Sequence, residues 1–316
     1  MVKNVFAKPL LFAAAAGAVA SAGGAYVWRE THRPPILEIF IFNMKTGPSI
    51  LIRTPEDERI LIDGGAGPEI IRSITSVLPF YSRRIDYIMM TKKDSKRIGG
   101  LIEVVSRYVV TNAIVPAIEF NPELNQSSNS SSTPFLLNNN DESTFSVFNR
   151  ALSHPEITTQ AVSSGDVIHL GNNIDMYFLF PKDVTAFNYS KTSQPEIIFE
   201  LRYKKHSFLF IADSTIAIQK NILSEVSSST ALITYSNAKS TSVSEKLMQS
   251  VSPRYIVYSG ANNLTPTTKP AASSKNKKSP INFGATFGEN SFNVRDGTVK
   301  ITSDGDTVKI KNLGGA

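Results

Sequence analysis

The 316-residue sequence has no cysteine and only four histidines. The missing thiols exclude disulfide frameworks, thiolate zinc sites, iron–sulfur clusters and cysteine nucleophiles together. His32, His154, His169 and His206 are scattered singly, so no closely spaced pair exists to hold a metal, and none stands in the nucleophile context that a serine triad needs. Charged residues make up only 19%, and 33 basic against 27 acidic residues leave a net charge of +6. That excess is too mild to mark a nucleic-acid binder by charge alone. There is no phosphate-cradling loop of the Walker type and no dinucleotide fingerprint. What is present is 41% apolar content, enough for a buried core over one large domain or two modest ones, which rules out disorder along the whole chain.

Residues 1–8 are short and basic. Residues 9–28 then run for the length of a bilayer crossing without a charge, followed by Arg29, Glu30 and Arg33. The stretch is mostly Ala and Gly, so it reads either as a single transmembrane anchor or as a cleaved signal peptide, with small residues at Ala18, Ala20 and Ala22. Both readings place the rest of the chain outside the cytoplasm, at the cell membrane or secreted. Residues 29–36, with Pro34-Pro35, form a stiff linker to a domain expected over 37–312.

Within that domain, Leu37 to Phe42, Ser49 to Arg53, Arg59 to Ile62 and Ile85 to Met90 have strand character, as do Val167 to Leu170, Asp175 to Phe180, Ile197 to Tyr203 and Ser207 to Ile211. Helical spacing over Gly67 to Leu78 places Ile70, Ile71, Ile74 and Leu78 on one face, and Gly99 to Tyr108 does the same with Leu101, Val104 and Val105. The mixture predicts a layered α/β domain with mixed sheets. Residues 121–140, rich in Asn and Ser, and 264–280, rich in Lys, Thr, Ser and Pro, are expected to be loop insertions. Tyr108, Tyr177 and Tyr203 read as core or rim aromatics, and His169 and His206 as structural or surface histidines.

Leu61-Ile62-Asp63-Gly64-Gly65 is followed by Thr91-Lys92-Lys93-Asp94-Ser95-Lys96-Arg97-Ile98-Gly99-Gly100, then by Gly165-Asp166-Val167-Ile168-His169-Leu170-Gly171, by Phe208 to Asp213, and by a closing Arg295-Asp296-Gly297 and Ser303-Asp304-Gly305 hairpin. In that order the motifs resemble the metallo-β-lactamase-fold domain of ComEC-type competence proteins. The resemblance implies an αββα four-layer sandwich and, in intact relatives, a dinuclear zinc site that hydrolyses phosphodiesters during DNA uptake. The ligand motif of the family, Thr-His-x-Asp-x-Asp-His, aligns its first histidine with Lys92, its aspartates with Asp94 and Lys96, and its second histidine with Arg97. The bridging aspartate aligns with Asp213, preceded by Ala212 in place of glycine, and the later histidine pair with Ser236 and Asn237. The early Asp-Val-Gly-Gln-Gly-Asp segment becomes Asn43 to Pro48. Asp63 takes a supporting position in the turn.

Zinc needs neutral imidazoles and carboxylates converging on one point, and cations at three ligand positions oppose it. The zinc site is therefore expected to be lost, with no cofactor and no catalytic residue left. Lys92 or Arg97 is expected to pair with Asp94, Asp213 and Asp63 in an ion cluster at the former metal position. Two functions stay open at this stage. One is a non-catalytic binding or scaffold protein for DNA, an envelope polymer or a protein partner, with Lys92, Lys93, Lys96 and Arg97 as candidate anion-binding residues near the helix after Gly99. The other is a divergent hydrolase in which Asp63, Asp94 and Asp213 hold one hard cation such as Mg²⁺.

Overall fold

A computed structural model describes residues 35–79, 81–120, 139–183, 194–235, 243–259 and 286–314. The expected anchor, most of 121–140, all of 264–280, and both Ser236 and Asn237 lie outside them. The described residues from Ile36 onward belong to one compact unit, Ile36–Ala316. Among them no helix is long and apolar enough to cross a membrane.

Two sheets form the centre. The first has eight strands: β1 (Leu37–Ile41), β2 (Ile50–Arg53), β3 (Arg59–Ile62), β4 (Arg84–Met89), β5 (Val109–Pro116), β6 (Thr158–Val162), β14 (Val299–Ser303) and β15 (Val308–Asn312), in the order β15-β14-β1-β2-β3-β4-β5-β6. The second has seven: β7 (Val167–His169), β8 (Ile174–Phe180), β9 (Ile198–Tyr203), β10 (His206–Ala212), β11 (Ala231–Thr234), β12 (Tyr255–Tyr258) and β13 (Ser291–Asn293), ordered β13-β12-β11-β10-β9-β8-β7. Strands β3 to β6 run parallel, as do β10 to β13, while the hairpin-connected strands beside them run antiparallel. In the first sheet the closing hairpin β14–β15 returns beside β1, so the two ends of the domain meet there.

Alternation along the strands sends side chains to two different cores. Ile39, Ile41, Ile50, Ile52, Ile60 and Ile62 meet Met176, Phe178, Phe199, Leu201, Phe208 and Phe210 between the sheets. Phe199 stacks on Phe210 with ring centroids 4.5 Å apart. The opposite face of the first sheet packs Phe40, Leu51, Leu61, Ile88 and Met90 against α1 (Glu69–Val77), α2 (Ser95–Val105) and α3 (Asn139–Leu152). The outer face of the second packs Ile198, Leu209, Ile211 and Leu232 against α4 (Ile216–Asn221) and α5 (Glu245–Val251). The result is the four-layer αββα sandwich. Burying each of the large side chains contributes roughly 1.5–3 kcal/mol, so all three apolar layers stabilise the domain.

One helix starts earlier than its apolar spacing predicts. Periodicity alone begins it at Gly99, whereas α2 begins at Ser95, because the Asp94 side chain accepts a hydrogen bond from Lys96 N (2.8 Å) and caps the first turn. The basic run therefore lies on a helical first turn rather than on a loop before it.

Candidate functional site

The parallel strands of both sheets deliver their carboxyl ends to one edge of the sandwich. Asp63 follows β3, Thr91 follows β4, Asp213 follows β10, and Tyr235 follows β11. Open α/β sheets place ligand sites outside such ends, because the loops there are free to vary while the strands hold them.

Asp63 is fully buried and held in a left-handed backbone conformation (φ 53°). Its carboxylate accepts from Thr91 N (2.9 Å), from the Thr91 hydroxyl (2.6 Å) and from Arg97 Nη1 (3.0 Å). Arg97 Nη1 also donates to the Thr91 hydroxyl oxygen (2.6 Å), and Nη2 donates to Asp213 Oδ1. The Arg97 guanidinium, 2% exposed, thus bridges an acid from each sheet. The aim of that side chain comes from glycine. Gly64 N donates to Arg97 O (2.7 Å) and Gly100 N to Gly65 O (2.9 Å), and a Cβ on Gly100 would overlap the Gly64 carbonyl. Only glycine lets the helix backbone seat this closely on the Asp63 turn.

The other residues singled out from the sequence disperse. Asp94 spends its side chain on the helix cap and does not join Asp63 and Asp213, and Lys96 points from an exposed position on the first turn. Lys92 forms an isolated antiparallel bridge with Glu196, and Lys93 lays its ammonium over the Phe145 ring, 4.4 Å from the centroid. Asp63, expected both as a turn residue and among the acids of the ion cluster, is a direct partner of the buried arginine, because its left-handed turn points the carboxylate inward at the strand end. Helical geometry and separate partners send the members of the four-cation run in different directions.

Glu196 escaped the sequence reading. It is 1% exposed, Ile197 N beside it donates to Thr91 O (2.7 Å), and neither of its carboxyl oxygens has a hydrogen-bond partner among the described residues. The only local signal is an acid set directly before the apolar run Ile197-Ile198-Phe199, where a strand enters the core. The Tyr235 hydroxyl is also buried without a partner among the described residues.

The electrostatics follow from burial against a shortage of cations. Burial pushes the Glu196 carboxyl up to about 7; Lys92 opposes the shift and Asp213 adds to it. Burial likewise raises Asp63, against the pull of Arg97 and Thr91. At Asp213 the burial cost is outweighed by Arg97 and then Lys92, which leaves its carboxyl below the ordinary range. Burial alone would favour a neutral Arg97, but Asp213, Asp63 and Glu196 hold it firmly cationic. Three acids, Asp63, Asp213 and Glu196, face two cations, Arg97 and Lys92, and a proton on Glu196 would balance the cluster.

These residues do not fit a zinc ion. Asp63 and Asp213 already accept from Arg97, and cations occupy the neighbouring aligned positions. Among the described residues no group of three histidine, aspartate or glutamate side chains is placed to hold a metal.

Comparison with solved structures returns metallo-β-lactamase-fold proteins. A diphosphatase of the PhnP family superimposes with a TM-score of 0.50 at 10% identity, covering 85% of this chain and 98% of that one. The fold is that of the metallo-β-lactamases. The metallo-β-lactamase-fold protein YhfI from Bacillus subtilis (9% identity, TM-score 0.46, 70% of this chain and 85% of that one) and the subclass B3 metallo-β-lactamase MEM-A1 from a soil metagenome library (16%, 0.39, 62% and 75%) are also similar. Neither a protein-family profile nor a curated protein sequence matches the chain. The metallo-β-lactamase likeness is one of fold, and the chemistry has to be argued from the side chains present.

Proposed function

We propose that this chain is a ComEC-like metallo-β-lactamase-fold protein, anchored at the membrane by residues 9–28, that has exchanged its metal centre for an internal ion cluster and works as a non-catalytic binding protein. One observation carries the reading: Arg97 lies between Asp63 and Asp213 where the family resemblance would put metal ions. A guanidinium supplies the positive charge that two buried carboxylates require, but it offers no open coordination position and cannot lower the pKa of a bound water as a metal does. The cleft keeps its shape because the cluster satisfies the acids from within. DNA and anionic envelope polymers are the partners that this reading favours, since basic residues remain around the cleft mouth while the acids inside are neutralised.

The purified full chain tests the proposal. It is expected to carry no stoichiometric zinc, to melt at the same temperature with and without added Zn²⁺, and to leave single-stranded DNA uncut; a metal bound only to the folded state would raise the melting temperature. Chelator-sensitive cleavage of DNA would overturn the reading. The variant Lys92→His, Lys96→Asp, Arg97→His, Ser236→His, Asn237→His is expected to gain zinc.

A further inference from the structure

Beside the ion cluster lies a cavity of about 560 Å³. Its wall contains two basic residues that lie within the sequence motifs but are not among the candidate site residues, Lys45 from the loop after β1 and Arg295 from the segment before β14, together with Lys96 from the first turn of α2. Three distant parts of the chain thus bring a cation to one space. None of the three forms an ion pair with another described residue. The acids in the same wall are already engaged: Asp94 accepts from Lys96 N, and Asp213 from Arg97.

The rim is held by backbone contacts. Gly47 adopts φ 74°, and a Cβ there would overlap the Lys96 carbonyl, so the Asn43 to Pro48 loop seats directly on the start of α2. Ala66 N donates to Thr46 O (3.2 Å) and Gly65 N to Pro48 O (3.1 Å). Lys45 N donates to the Glu69 carboxylate (3.2 Å), and Asn43 Nδ2 donates to Arg295 O (3.4 Å). The three cations are therefore mounted on a rim that is tied together before any ligand arrives, which lowers the ordering cost of binding. Tyr235 also lines the cavity, and Met44 and Pro48 give it an apolar side. The volume is in the range of small-molecule sites.

We infer that this cavity binds a phosphate monoester carrying a small organic group, with Lys45, Lys96 and Arg295 gripping the phosphate. Two negative charges on a compact head match three cations that have no ion pair among the described residues, and charge-assisted hydrogen bonds to phosphate oxygens are among the stronger polar contacts. The organic group lies along Met44 and Pro48. The inference rests on the metal-free reading above, since metal ions at Asp213 would take the phosphate themselves.

Isothermal titration calorimetry on the full chain tests it with inorganic phosphate, glycerol 3-phosphate and adenosine 5′-monophosphate, and with glycerol and adenosine as uncharged counterparts. The two monoesters are expected to bind saturably and more tightly than inorganic phosphate, the uncharged compounds not at all. Preference for the glycerol ester would point to a lipid-derived source and preference for the nucleotide to a nucleic-acid one; either supports the site. Lys96→Ala and Arg295→Ala, both at exposed positions, are each expected to weaken binding about tenfold. Absence of binding by every phosphate compound, or affinities unchanged in both variants, would overturn the inference. Zinc content measured on the same preparation separates the two readings: stoichiometric zinc sinks the metal-free assignment, whereas phosphate binding indifferent to both alanine variants sinks the pocket alone.

Discussion

Arg97 stands between two acids, and removing it strands both. Arg97→Met is expected to cost about 3–5 kcal/mol in urea unfolding, because Asp63 would be left buried and charged with only Thr91 for a partner. Adding Asp63→Asn should return much of that loss, since an amide needs no counter-ion; Asp213 is partly exposed and can be solvated. If the single variant is as stable as the parent, the cluster is not what holds this edge together. Glu196 gives a pH signature of its own. Unfolded, its carboxyl ionises near 4.5, and folded only near 7, so over that window the unfolded chain loses its proton first and stability falls as pH rises. The full effect is roughly 3 kcal/mol by the free energy of a pKa shift. Asp213 acts oppositely: its lowered value contributes stability above the ordinary carboxylate range that is lost as pH falls through the folded value. Melting temperature is therefore expected to decline between pH 4.5 and 7 in the parent and to decline clearly less in Glu196→Gln, where only the raised Asp63 still acts in that direction; an undiminished decline in the variant would assign the titration elsewhere. At this scale the motif order picked out Asp63, Arg97 and Asp213, because charge at aligned positions is visible one residue at a time. Glu196, Lys45 and Arg295 were not legible, since each is an ordinary charged residue until distant segments surround it.

At the scale of elements, the seat of α2 on the Asp63 turn decides where the guanidinium points. Gly100→Ala places a methyl on the Gly64 carbonyl, a backbone atom with no rotamer to yield, and is expected to cost about 1–3 kcal/mol or more as the helix lifts away. Ala212 is the mirror case. It ends β10 with φ 48°, where β10 shifts register against β11, a conformation that costs an L-residue roughly 1–2 kcal/mol and that glycine adopts freely. Ala212→Gly is thus expected to be neutral or mildly stabilising despite the greater freedom of the unfolded chain, and the pair of variants, compared by denaturant midpoint, should move in opposite directions. Equal losses in both would mean that backbone approach is not the controlling factor. Apolar periodicity located α1 and α2, but it placed the start of α2 four residues late: periodicity senses the buried face, while the first turn is set by the Asp94 cap and carries exposed Lys96.

For the whole molecule, the alternation of strand and helix together with the two kinds of apolar pattern determined a layered α/β domain with mixed sheets, because burial on one face or two leaves a period that can be read along the chain, while the four-layer sandwich was implied by the family resemblance. Composition determined what was impossible: without cysteine, and with scattered histidines, no thiolate or closely spaced imidazole pair was available to a metal. Which charges meet was decided only by tertiary structure. Ion pairing depends on distance and on the depth of burial, and both are set when β3, β4, β10 and β11 bring their ends to one edge. The same packing that joins Arg97 to Asp63 and Asp213 sends Lys93 to Phe145, leaves the Glu196 carboxyl without a hydrogen bond among the described residues and draws Lys45 and Arg295 to one cavity, although nothing in the spacing of these residues along the chain distinguishes them.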